Sequence, residues 1–303
     1  MKRKDILKLL SLTPIFMNAQ PLHELAKIFQ ELPKQGKKMP VLFTSHGIPM
    51  DIPVSRNERP FWKKLYELGI ELQNEYEVKA AVVISAHWCT NDKTYVNISP
   101  NQKQIFDYYG FPKEYYEVYY SAKGAPEVAK EITSLIPNIS ETTEWGLDHG
   151  AWPMLMHLFP EANVPVFELS IAYNANPIYH YELGKSLKSL RDKGVLIIGS
   201  GALIHNLSMI RPKLMVGDRT PLGWEAEYDT WLKKQLESRN IGNLINYTTS
   251  HKLGLVASPT PDHFVPVLYS LGLMDPKDEL HFFYESEMSL PAFSERSFIL
   301  KHS

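Results

Sequence analysis

Short, continuous apolar runs closed by glycine, proline, serine or histidine most constrain what this chain can fold into. They are Val41–Phe43 within PVLFTSHGIPM, Ala80–Ala86 (AAVVISA), Val195–Ile198 ahead of Gly199-Ser200-Gly201, and Leu253–Ala257 (LGLVA), while Val164–Ile171 (VPVFELSI) reads as a further strand. A run that is apolar throughout, rather than at alternate residues, suits a strand buried on both faces. Tyr95–Ile98 reads as a further short strand, and the tail His281–Leu300 as edge strands. Between these runs the apolar spacing changes to three and four residues, as in Phe61, Leu65, Leu68 and Leu72. Helices are expected there, over Gly124–Leu135 (begun near Pro126), over Pro153–Leu158, over Tyr181–Lys193 (ended by Gly194), over Trp224–Arg239 and over Val265–Leu271. Strands alternating with helices predict a single-domain α/β fold, with a mixed, mostly parallel central sheet and helices on both faces. With no Ser/Gly-rich linker or internal repeat, the expected division is an N-terminal helical extension at 1–39 and one domain at 40–303.

Composition narrows the function. A formal net charge of -2 on 303 residues lacks the excess of basic residues that a dedicated nucleic-acid surface requires. No later run approaches the roughly 18 uninterrupted apolar residues of a membrane span. The single cysteine, Cys89, excludes an internal disulfide framework and is expected to be a small buried hydrophobe. The N-terminus carries Lys2, Arg3, Lys4 and Lys8 ahead of the apolar stretch Leu9–Ala19. That outline fits either a secretory signal at 1–19 or a short amphipathic helix. The expected location is cytoplasmic, or periplasmic if 1–19 is a signal.

Five of the eleven histidines stand directly after an apolar run or inside a glycine-bracketed turn: His46 (SHG), His87 (SAHW), His149 (DHG), His205 (IHNL) and His263 (PDHF). Parallel strands present their carboxyl ends on one edge of a sheet, which is where ligands bind in open α/β folds. Several of these histidines should converge there. Neutral imidazole is a ligand for Zn, Fe, Cu and Ni, and widely separated ligands that leave open positions point to a catalytic metal. The sequence has no HExxH, no cysteine pair, no dinucleotide fingerprint and no G-x-S-x-G elbow, so a serine hydrolase or NAD enzyme is a poor fit.

The blocks SHGIPM (45–50), SAHW (85–88), YGFP (109–112), GLDHGAW (146–152), GSGALIHNL (199–207) and PTPDHFVPVL (259–268) together resemble the signatures of the class III extradiol ring-cleavage dioxygenases. Within that family the blocks are most similar to the bacterial 4,5-DOPA dioxygenase group, relatives of the protocatechuate 4,5-dioxygenase catalytic subunit. The resemblance implies a domain at 40–303 in which His46, His87 and His263 ligate the metal. It further implies that His205 is the acid–base residue and that His149 lies in the second shell or on the oxygen side. Two departures are Ser258, where related sequences carry histidine, and Ile48, where the first motif more often has serine; both bear on substrate choice.

The activity so implied is Fe(II)-dependent cleavage of a small, DOPA-like catechol with O2 to a semialdehyde, in an enzyme that can form homo-oligomers. Zn(II) could fill the same site, as in a zinc hydrolase built on the same three histidines. A non-enzymatic binding protein on this scaffold is a further alternative, although it would have no use for His205. The aromatic stretch Phe106–Tyr120 suits a catechol pocket wall or a packed surface lobe, Trp88 and Trp152 suit pocket or core, and Asp148 suits an acceptor for His149 or a helix cap.

Overall fold

The computed structural model describes residues 36–285 and 290–303. The expectations for the helical extension and for a signal segment at 1–19 lie outside the described residues. Eight strands form one sheet: β1 (Val41–Thr44), β2 (Ala80–Thr90), β3 (Tyr95–Asn97), β4 (Ser140–Thr142), β5 (Val166–Ala172), β6 (Val195–Ser200), β7 (Asp278–Tyr284) and β8 (Ser297–His302). Their order is β4-β3-β5-β2-β6-β1-β8-β7. The centre is parallel, with β2 between β5 and β6 and β1 beside β6. Antiparallel pairings join β3 to β5 and β8 to both β1 and β7.

The principal helices are α1 (Pro60–Glu75), α2 (Pro126–Leu135), α3 (Trp152–Leu158), α4 (Pro177–Ser186), α5 (Leu207–Met215), α6 (Glu225–Glu237) and α7 (Val265–Gly272). Five of them carry proline in the first turn, or a proline as first residue, where the missing N–H has no intrahelical partner to lose. Because side chains alternate across a strand, each central strand feeds two cores. Val82, Ile84, Phe167, Leu169 and Ile197 pack against α4, α6 and α7, while Ala81, Val83, Val166, Leu196 and Ile198 pack against α1 and α3. On α1 the buried residues are Phe61, Trp62, Leu65, Leu68, Gly69 and Leu72, which include all four anticipated apolar positions. Full burial of each large apolar side chain contributes about 1.5–3 kcal/mol.

The structure corrects four details. Leu253–Ala257 is not a strand; Gly254–Ala257 is a helical turn. The place beside β1 goes instead to β8, whose Phe298–Leu300 pairs antiparallel with Val41–Phe43, so the tail supplies an interior strand as well as the edge strand β7. The segment expected as one helix over Tyr181–Lys193 is α4 followed by a 3-10 segment at Lys188–Lys193. Finally, β2 continues past Ala86, and Cys89 on that extension is exposed rather than buried, its thiol donating to the Ala86 carbonyl at 3.3 Å.

Candidate metal centre

All five singled-out histidines meet at the carboxyl end of the central strands. His46 leaves β1 into a left-handed turn at Gly47 (φ 73°). His87 sits on β2 where the pairing with β5 shifts register between Ile84 and Cys89, an irregularity of the kind that re-aims a side chain. His149 precedes α3, and His205 follows β6 by five residues. His263 follows no strand. Its loop is pinned to the end of β6 instead, with Ala202 N–H donating to the His263 carbonyl at 2.9 Å and His205 N–H to the Ala257 carbonyl at 2.9 Å. Gly201 permits that approach: a Cβ there would stand 2.2 Å from the His263 carbonyl oxygen.

The ring centroids of His46 and His87 are 4.9 Å apart, those of His46 and His263 5.4 Å, and those of His87 and His263 5.0 Å. One ligand nitrogen from each of these three residues lies within 4.8 Å of the others. His149 lies on the His46–His87 side, its ring 3.7 Å from that of His87. His205 lies on the other side, stacked parallel on His263 at 3.5 Å.

The surrounding hydrogen bonds settle which nitrogens face the centre. Ser200 Oγ donates its only proton to the Gly150 carbonyl, so it must accept from His46 Nδ1 at 3.0 Å. The Nδ1 of His87 is 3.4 Å from Asp107 Oδ2, and the Nδ1 of His263 bonds Asp262. Each ring thus offers Nε2 inward. His46 Nε2 and His87 Nε2 stand 3.1 Å apart. The lone pair of His46 Nε2, whose Nδ1 is committed as a donor, therefore points at His87 Nε2, and two imidazole nitrogens placed this way suit a shared cation. Burial, followed by the charges of neighbouring histidines, pushes the His46 and His87 imidazoles well below the ordinary value. The same two causes lower His205. Neutral imidazoles are the form that binds a metal, so the donor set fits a divalent transition ion.

Asp107 is the residue that sequence reasoning missed. Its carboxylate accepts from the His149 backbone N–H and from His149 Nδ1, both at 2.8 Å. The signal was a lone acid inside the aromatic run FDYYGFP. Asp148, the expected partner of His149, neither bonds that ring nor caps α3 with its side chain. It accepts instead from Ser85 Oγ (2.6 Å), Gly150 N–H (2.9 Å) and Trp145 Nε1 (3.2 Å). Burial, with the charge of Asp107, pushes Asp148 up. The aromatic stretch is mainly a packed lobe: Tyr108 stacks on Tyr116 at 5.3 Å and its edge meets His149 at 5.6 Å. Trp152 is fully buried core, whereas Trp88 stacks on Trp145 at 5.7 Å. Ser258 is buried and donates to the Leu203 carbonyl, and Ile48 packs beside Ala202 and Phe293.

Residues 40–293 match the family described as the catalytic LigB subunit of aromatic ring-opening dioxygenase. The chain belongs to the LigB family. A LigB-family relative from Escherichia coli K12, named 4,5-DOPA dioxygenase extradiol, is 32% identical over 259 residues, spanning 84% of this chain and 92% of that one. Another from Beta vulgaris, with the same name, is 37% identical over 235 residues, spanning 76% and 85%. The solved structure of an uncharacterized Escherichia coli K12 protein superposes with a TM-score of 0.71 at 30% identity, covering 86% of this chain and 99% of that one. The mostly parallel α/β sheet is therefore the architecture of a LigB-type enzyme, and this chain is an aromatic ring-opening dioxygenase by family. Among the described residues no helix is long and apolar enough to cross a membrane.

Proposed function

We propose that this protein is an Fe(II)-dependent extradiol dioxygenase that opens the ring of a small, DOPA-like catechol with O2 to give a semialdehyde. The observation that carries the reading is the convergence of one ring nitrogen each from His46, His87 and His263, with a second pair of histidines flanking the trio. Those three residues hold the ion. Bound there, Fe(II) would supply two adjacent positions for the catechol oxygens and a redox-active path for electrons from ring to O2, which redox-inert zinc does not.

The remaining chemistry falls to the chain itself. Three neutral ligands leave the site's positive charge uncompensated, which favours the catecholate over the catechol. His205, neutral at pH 7 because burial lowers its basicity, takes a proton at a ring nitrogen from a catechol hydroxyl and returns it later in the reaction. His149 is held by two hydrogen bonds to Asp107 on the His46–His87 side, away from His205. Its Nε2 is thereby positioned on the oxygen side of the site. The Tyr108 ring packs against His149 on this side, with the ring centroids 5.6 Å apart.

The test is anaerobic reconstitution with Fe(II), followed by L-DOPA or catechol and then O2. A yellow semialdehyde absorbance is expected, and the Zn(II) form should give none. His205→Ala should keep its iron and lose turnover, whereas His46→Ala, His87→Ala and His263→Ala should lose iron. An iron-loaded protein that is silent across a catechol panel, or His205→Ala losing iron as well, overturns the assignment.

A further inference from the structure

A cleft of about 360 Å³ opens between the loop after the His46 turn and helix α3. Its wall is apolar at Ile52, Val54, Val118 and Met156, and two nitrogen bases interrupt it, Arg56 and His157. His157 is 5% exposed, stacks on Trp62 at 4.5 Å, and has a buried Nε2 with no hydrogen-bond partner. Buried polar atoms are nearly always satisfied, so an orphaned nitrogen in a cleft wall marks a place where a ligand group completes the bonding. Burial, reinforced by the charges of Arg56 and Arg59, pushes His157 down to about 4, so it is neutral.

The two arginines differ in their company. Arg59 is paired with Asp51 and Glu295. Arg56 lies 4.2 Å over the Tyr66 ring and has no ion pair among the described residues. The one acid of its own loop, Glu58, accepts from Ser55 N–H. A half-buried guanidinium without a carboxylate, at the rim of an apolar cleft of small-ligand size, is suited to an organic anion.

We propose that this cleft is a second ligand site, separate from the histidine centre, for a small aromatic carboxylate. The carboxylate pairs with Arg56, the ring lies on the apolar wall, and a ring hydroxyl completes His157 Nε2. The site does not open onto the metal ligands, because the buried Trp62 ring stands between them. That ring stacks on His157 on one side and meets the Gly47 turn on the other, where a Cβ would be 3.1 Å away. A ligand in the cleft therefore touches neither the ion nor its ligands.

The experiment is a calorimetric titration of the metal-free full chain with 4-hydroxybenzoate and benzoate, with tryptophan fluorescence as a second readout. Saturable binding is expected, tighter for 4-hydroxybenzoate. Arg56→Gln should weaken it roughly tenfold, the scale of one charge-assisted hydrogen bond, with Arg56→Lys closer to the parent. His157→Phe should erase the advantage of the hydroxyl, Met156→Trp should block the cleft, and both His46→Ala and Zn(II) loading should leave binding unchanged. The proposal fails if no saturation is reached by about 10 mM, which corresponds to a negligible affinity. It also fails if Arg56→Gln binds like the parent, or if Zn(II) or His46→Ala abolishes binding, since that would put the ligand at the histidine centre.

Discussion

Gly201→Ala separates the tertiary requirement of the site from its chemistry. The added Cβ would lie 2.2 Å from the His263 carbonyl oxygen, whereas ordinary contact begins at 3.4 Å. Either β6 or the His263 loop must give way by about 1.2 Å, the difference between those two distances. The obstructing atom is backbone, so no rotamer change relieves it. The same movement strains the hydrogen bond from Ala202 N–H to that carbonyl, at 2.9 Å, and so carries the whole residue. Overpacking of this kind costs about 1–3 kcal/mol of stability. The functional cost should be larger, because a displacement of about 1 Å at a reacting centre can lower the rate roughly 100-fold. Iron content by elemental analysis, semialdehyde formation and thermal melting together form the assay. The variant should stay folded yet bind iron poorly and turn over at about 1% of the parent rate. Gly242→Ala, whose Cβ would meet only Asn240 Oδ1 at 4.0 Å, is the control and should be silent in both. Parent-like iron content and turnover in Gly201→Ala would refute the claim that this contact sets the position of His263.

Asp107→Asn keeps the size of the side chain but replaces a charged acceptor of His149 Nδ1 with an amide. It should lower kcat or iron affinity by about 10–100-fold, measured by steady-state kinetics with iron analysis, while leaving the melt nearly unchanged. Arg191→Ala should cost about 3 kcal/mol in urea unfolding, because it takes the guanidinium bonds at 2.6 and 3.0 Å from the buried Asp278 carboxylate and leaves it only Asp275 N–H and His302 Nδ1. His180, fully buried against the Tyr269 hydroxyl, is pushed down to about 4 by burial. Its folded value is below the usual 6.5, so the unfolded chain takes up the proton first. The stability it contributes is complete above pH 6.5 and falls as pH drops towards 4, reaching a loss of about 2 kcal/mol by pH 5. His180→Leu should show a correspondingly smaller drop between pH 7 and pH 5 in urea midpoints of the metal-free protein.

The parallel core was legible because its signal is local. Val41–Phe43, Ala80–Ile84 and Val195–Ile198 are apolar on both faces, and only a covered central strand needs that. The same criterion failed at Leu253–Ala257, where a five-residue apolar run forms a helical turn that buries Gly254 and Ala257 and leaves Leu255 exposed. Whether a strand or a helical turn forms depends on whether a strand partner is available. The partner edge of β1 was taken by Phe298–Leu300, more than forty residues further along the chain.

The sequence by itself determined the chemical inventory: five histidines at chain reversals, small residues beside them, and the ordered blocks that carry the family resemblance. The tertiary structure alone decided how those side chains are used. Ser200 orients His46, Asp107 rather than Asp148 orients His149, and Asp262 orients His263. The first two partners are set by contacts between segments 154 and 42 residues apart, whereas Asp262 is the chain neighbour of His263; a tautomer is selected by whichever acceptor reaches the other ring nitrogen. The cleft at His157 is likewise a product of packing, since nothing near that residue in sequence indicates that its buried Nε2 is left without a partner.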